Sequence, residues 1–144
     1  MRHMIAAALL TVSVTSCATG GSAPINVGDT PSNRIYFDQY AGAGYRVKIA
    51  RDQGKMGSLC MTQIFIDGQL AAEIGQAEAV VFKLSPGTHQ LKIAPALKNS
   101  TCQTFYSDPK FHIEQSISGS PGDFKDLRYG FSRSGLPFLT APSM

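Results

Sequence analysis

"IFIDGQLAAEIGQAEAVVFKLSPGTHQLKI", Ile64 to Ile93, decides the fold class. Ile64 and Ile66 share one face of an extended segment, and Asp67-Gly68 follows at once. Asp-Gly beside alternating apolar residues is a strong hairpin signal, because both turn positions tolerate positive φ. Val80, Phe82 and Leu84 then alternate with Val81, Lys83 and Ser85. A period of two marks a strand with one buried face. Ser85-Pro86-Gly87 forms a tight turn, and Leu91 and Ile93 resume the alternation against Gln90 and Lys92. "GQLAAEIGQAEAVVF" has helix-forming composition, yet Gly68 and Gly75 bracket a segment too short to sustain a helix. The expected structure is strand, turn, strand.

The same period extends outward. Tyr45, Val47 and Ile49 alternate with Arg46, Lys48 and Ala50. Phe111, Ile113 and Ile117 alternate with His112, Glu114 and Ser118, which points His112 at solvent. Leu127, Tyr129 and Phe131 alternate with Arg128 and Gly130. Pro, Gly, Asn and Asp punctuate the gaps. The pattern predicts an all-β domain, a small antiparallel β-sandwich that is Ig-like or an open barrel. With no Trp in the chain, eight Phe and five Tyr supply the large core side chains. The tail "SRSGLPFLTAPSM" either adds an edge strand at Leu136 to Thr140 or hangs free.

The chain has 144 residues, enough for one domain. Hydrophobic residues at 43% and charged residues at 16% exclude disorder. The net charge of +3 is spread without a basic run, which argues against a nucleic-acid partner.

The N-terminus carries Arg2 and then an apolar stretch from Met4 to Val14. That stretch is about half the ~20 residues needed to cross a bilayer as a helix, so it reads as a signal-peptide core. Val14-Thr15-Ser16-Cys17 resembles the bacterial lipobox, with an aliphatic residue, two small ones and then the cysteine that accepts a diacylglyceryl group. The competing reading is plain secretion, cut at Ser16-Cys17-Ala18. As a lipoprotein the mature chain starts at Cys17 and is held in the membrane by three acyl chains. Ala18 and Thr19 lack the Asp that retains enterobacterial lipoproteins in the inner membrane, so outer-membrane sorting is expected. The domain plan is a signal peptide over 1–16, a flexible Gly/Ser/Pro-rich tether over 17–33 and a β-sandwich over 34–144.

Removing Cys17 leaves Cys60 and Cys102, an even pair in an exported domain. They are expected to form a disulfide worth about 3–4 kcal/mol. The alternative is two buried free thiols.

The central block also resembles the PEGA-like β-domains and related small bacterial lipoprotein domains of unknown function. Asp67-Gly68 and Pro86-Gly87-Thr88-His89 stand at matching places, while the proline and glycine that name the group are not reproduced after Ile74. The resemblance covers about thirty residues. It implies a small envelope β-sandwich acting as an accessory or interaction module, with no catalytic residue.

His89 shares a face with Leu91 and Ile93, and nothing adjacent in sequence offers it a catalytic partner. It is expected to pack on the core rim and bond a turn carbonyl. Asp67, Gly68, Pro86, Gly87 and His89 are thus structural turn residues. Cys60, His89, Cys102 and His112 lack the close ligand pairs that nucleate a zinc site, so no metal is expected. "GFSRSG" fails the nucleophile-elbow spacing, and "GAGYRV" lacks the third glycine of a dinucleotide loop. Asn99-Ser100-Thr101 matches a glycosylation sequon by chance in a bacterial chain.

No cofactor is expected, and no enzyme. The expected role is a lipid-anchored lipoprotein of the outer membrane, facing the periplasm, that binds or scaffolds another envelope protein or a cell-wall component. A second reading is a periplasmic inhibitor or ligand-binding lipoprotein that plugs a hydrolase.

Overall fold

The computed structural model describes residues 27–54 and 58–142. The expected signal peptide and the lipidation site Cys17 lie outside these residues. Nine strands form two sheets: β1 (Gly28–Asp29), β2 (Tyr45–Arg51), β3 (Thr62–Ile66), β4 (Gln69–Ile74), β5 (Glu78–Leu84), β6 (Gly87–Pro95), β7 (Ile113–Gly119), β8 (Phe124–Phe131) and β9 (Pro137–Thr140). One sheet has the order β1-β5-β2-β8-β9 and the other β4-β3-β6-β7. The all-β sandwich is the architecture that the alternation predicts.

Tyr45, Val47 and Ile49 of β2 and Val80, Phe82 and Leu84 of β5 point inward from the first sheet. Ile64 and Ile66 of β3, Leu91 and Ile93 of β6 and Ile117 of β7 point inward from the second. Phe82 is fully buried and meets Phe37 edge-on, with ring centroids 5.5 Å apart. Tyr45 reaches across the sandwich until its ring covers Gly119, where any Cβ would fall 2.5 Å from the ring. Glycine at 119 is therefore required by close approach, with no appeal to backbone freedom.

Asp67 and Gly68 have φ of 50° and 80°, so the β3–β4 hairpin turns as its Asp-Gly predicts. Pro86-Gly87 behaves differently. β5 pairs with β2, whereas β6 pairs with β3 and β7, so this corner carries the chain from one sheet to the other. Gly87 takes φ of 114°, which a side chain would resist.

The structure corrects the sequence reading at four further points. The first sheet is mixed, because β1 runs parallel to β5 and β8 parallel to β2. Strand β8 enters from the opposite sheet through the Ser120–Asp123 turn, which sets its direction. The tether boundary also moves. Residues 28–33 belong to the domain, since Gly28–Asp29 pairs with β5 and both the amide and the hydroxyl of buried Thr30 donate to the Ala79 carbonyl at 2.9 Å. Arg34 then bonds Glu78 at 2.6 Å and the Glu73 carbonyl at 3.2 Å, holding this arm across β4 and β5.

Third, a helix, α1 (Ser100–Tyr106), interrupts the strands. Its N-cap is Asn99, whose side chain accepts the Cys102 amide at 2.8 Å, so the sequon pattern marks a cap. Seven residues do not hold a helix alone. Cys102 anchors this one through its disulfide, and Tyr106 packs on Phe111 and Phe131 at 5.0 and 5.8 Å. Fourth, Phe111 ends a single 3-10 turn over Pro109–Phe111, capped by Asp108, and β7 begins only at Ile113. His112 is therefore half-buried at a turn end, not on an exposed strand face. The tail does form the edge strand β9 on β8.

Phe82→Ala should lower unfolding stability by about 3–5 kcal/mol in a denaturant titration. Its outward neighbour Val81, which is exposed, should tolerate alanine within about 0.5 kcal/mol.

Candidate functional site: an open sheet edge beside an apolar groove

The two sheets have four edges, and the chain treats them unequally. The β5 edge is covered by β1, by the Tyr40 amide on the Lys83 carbonyl at 2.9 Å and by the Gln39 side chain on the Lys83 amide at 2.6 Å. The β4 edge is covered by an Ile35–Ala72 bridge and by the amides of Tyr36 and Phe37 on the Ala71 carbonyl. The edges of β7 and β9 have no further strand among the described residues. β9 starts with a proline, which blunts it. The seven residues of β7, "IEQSISG", include no proline.

Just before the start of β7 the chain lines an open groove of about 420 Å³, formed by Phe105, Tyr106, Lys110, Phe111, Gly135 and Leu136 among others. Phe105 is 65% exposed and Leu136 46% exposed. These are large apolar side chains left in water. One wall is α1 and the other is the tip of the β8–β9 hairpin, closed by Gly135 with φ of 80°.

The disulfide sets the α1 wall. Cys60 and Cys102 are bonded, with Cα atoms 5.8 Å apart and a sequence separation of 42. The buried Arg51 guanidinium donates to the Cys60 carbonyl at 2.6 Å and so fixes the near half of the bridge. This is the pairing that the odd cysteine count suggests.

His89 is placed as expected on the core rim. Its ring lies 6.1 Å from Tyr45, and Nε2 is 2.9 Å from the Ser85 carbonyl. The sequence reading missed its carboxylate: Nδ1 is 2.6 Å from Asp67 Oδ2. The other oxygen of Asp67 accepts the Gln90 amide at 2.8 Å. The Asp-Gly hairpin is thereby latched to the Pro-Gly corner. Ser85 Oγ lies 3.2 Å from Nε2, so Asp67, His89 and Ser85 have the residue types of a nucleophilic triad. The hydrogen bonds define a different role. With the ring charged, Nε2 donates to the Ser85 carbonyl and Nδ1 donates to Asp67. In that charged state the imidazole has no lone pair with which to activate Ser85.

Among the described residues no group of three or more His, Cys, Asp and Glu side chains is arranged to hold a metal ion. The two cysteines considered for zinc are joined to each other. No protein-family model matches the chain, and no curated protein matches it significantly.

Burial pulls the His89 pKa down, but Asp67 and the Ser85 carbonyl outweigh it and the net shift is upward. The hydrogen bond from His89, helped by the Gln90 amide, holds Asp67 below its ordinary value. A raised histidine stabilises the fold fully below about pH 6.5 and loses that contribution as pH rises through its folded value. A lowered aspartate stabilises above about pH 3.9 and loses its contribution as pH falls through its folded value. The latch is strongest between these limits. Asp67 is 53% exposed on its side chain, so screening reduces the gain. His89→Ala should cost about 1 kcal/mol near pH 5.5 and clearly less near pH 9, read from paired denaturation curves. An equal cost at both values would contradict the charged latch.

Proposed function

We propose that this protein is a lipid-anchored lipoprotein of the bacterial outer membrane, facing the periplasm, whose PEGA-like β-sandwich is a non-catalytic docking module. It takes an extended segment of another envelope polypeptide along the edge of β7. An apolar side chain of that partner fills the groove between Phe105 and Leu136.

The observation that carries this reading is a juxtaposition. Among the described residues, the one long strand edge without a covering arm or an initial proline begins two residues after Phe111, which lines the groove. Strand addition supplies affinity through the main chain, and a side-chain pocket supplies selectivity. Export is supported by the Cys60–Cys102 bridge, since such bonds persist in oxidising compartments. That bridge leaves Cys17, at the end of Val14-Thr15-Ser16, as the remaining cysteine. A non-catalytic role is supported by the two acceptors that flank His89, the Asp67 carboxylate and the Ser85 carbonyl, which together favour the charged ring.

A photo-crosslinking side chain at Phe105 or Leu136, in cells, should capture one discrete envelope polypeptide, while the same probe at Val81 should not. Ser116→Pro, which blocks the β7 edge, should reduce capture at least about tenfold with the fold retained. Equal capture at all three positions would contradict the reading. Intact mass of the Cys17 peptide, with and without Cys17→Ala, tests the anchor separately.

A further inference from the structure

The outward face of the five-stranded sheet holds a feature that the partner groove does not use. Strand register places Lys83 of β5 opposite Arg46 of β2, and Arg46 opposite Phe124 of β8. Like charges directly opposite on neighbouring strands repel. No carboxylate lies within 4 Å of either cation among the described residues. The Arg46 guanidinium sits 5.4 Å over the Phe124 ring, and Phe124 is 52% exposed. At the other end of the row the Tyr40 amide bonds the Lys83 carbonyl, and Tyr40 is 41% exposed. The row thus reads cation, cation, aromatic from Lys83 to Phe124, with Tyr40 beside it at the β5 edge. Lys48 adds a third cation two residues along β2, partly offset by Asp126 at 3.7 Å.

We propose that this face docks on an anionic lipid surface, with Arg46, Lys83 and Lys48 among the phosphates and Phe124 and Tyr40 at headgroup depth. The inference rests on the lipid-anchored reading above for its geometry. Charge complementarity favours phosphate headgroups, which would relieve the Arg46–Lys83 repulsion. Aromatic residues with a polar or cationic neighbour suit the membrane–water boundary. The length of chain before the domain also fits. Domain pairing begins at Gly28, opposite Glu78 on this same sheet. The ten residues 18–27 span at most about 36 Å. From Glu78 to Lys83 along β5 is about 17 Å, so a lipid on Cys17 permits the sheet to lie flat. In that pose the β7 edge, at the far side of the other sheet, remains open to a partner.

The test is an amine-acylation footprint of the full-length protein in vesicles, resolved by lysine. Vesicles of phosphatidylcholine containing phosphatidylglycerol are compared with phosphatidylcholine alone and with inorganic phosphate alone. Each cation near an anionic surface is worth about fivefold in affinity, so Lys83 and Lys48 should be acylated at least about fivefold more slowly in the anionic vesicles only. Lys98 and Lys110 should be unchanged, and high salt should restore the rates. Arg46→Gln should weaken the protection of Lys83. Equal rates in the two vesicles, equal protection of Lys98 and Lys110, or protection by phosphate alone would each overturn the proposal. The mass of the Cys17 peptide from the same sample reads the anchor independently. An unmodified Cys17 would sink the lipoprotein reading, whereas lipidated Cys17 with unprotected Lys83 would sink only the face.

Discussion

The contact between the two inner sheet faces is the constraint on which everything else depends. Val47, Ile49, Phe82 and Leu84 meet Ile64, Leu91 and Ile93 with almost no exposure. Each such side chain contributes about 1.5–3 kcal/mol when buried, and none of the strands can bury its face without the opposite sheet. The chain therefore has to cross between layers, and its tight crossings lie at Gly75–Ala77, Ser85–Pro86 and Ser120–Asp123. The special backbone positions Ala77, Gly87 and Gly122, all with positive φ, sit at these crossings. The Asp67–His89 latch belongs to the same scheme, since it ties one crossing to the hairpin beside it.

Polar interactions decide where the edges lie more than how stable the sandwich is. Exposed pairs such as Lys92–Glu114 at 3.2 Å are worth about 1 kcal/mol at most. Arg34 on Glu78 and the Glu73 carbonyl fastens an arm over strands that would otherwise stay unpaired. Buried Glu73 is kept charged because Lys98 at 2.7 Å and Gln63 at 2.9 Å outweigh the burial that opposes ionisation. The disulfide contributes more than any of these surface pairs, about 3–4 kcal/mol for a loop of this size. It stabilises the end of the molecule where a short helix forms one wall of the groove.

The strands were legible because alternation is local. Tyr45 to Ile49, Val80 to Leu84 and Leu91 to Ile93 each report their buried face within a few residues. The Asp-Gly turn was legible because two residue types permit its dihedrals. Partnership between distant residues was not. Asp67 and His89 are 22 positions apart, and only the register of β3 on β6 brings them together. Arg46 and Lys83 look scattered in the chain and become neighbours through β2 and β5 pairing. The helix was hidden because "STCQTFY" has no amphipathic period and owes its existence to a cap, a disulfide and Tyr106 packing. In β1 the tether-like composition of residues 28–33 concealed pairing made by the main chain and Thr30.

These features leave a sandwich closed along one side by its own N-terminal arm and open along the other. The open side holds the β7 edge and the groove, and the central claim is that a partner strand completes it. Hydrogen exchange of the β7 amides, compared for the full-length protein alone and in native envelope membranes, tests this most directly. The account predicts fast exchange of the outward-pointing β7 amides, those of Glu114, Ser116 and Ser118, in the isolated protein and marked slowing of these in the envelope, with β3 unchanged. Equal exchange of β7 in both states would contradict it.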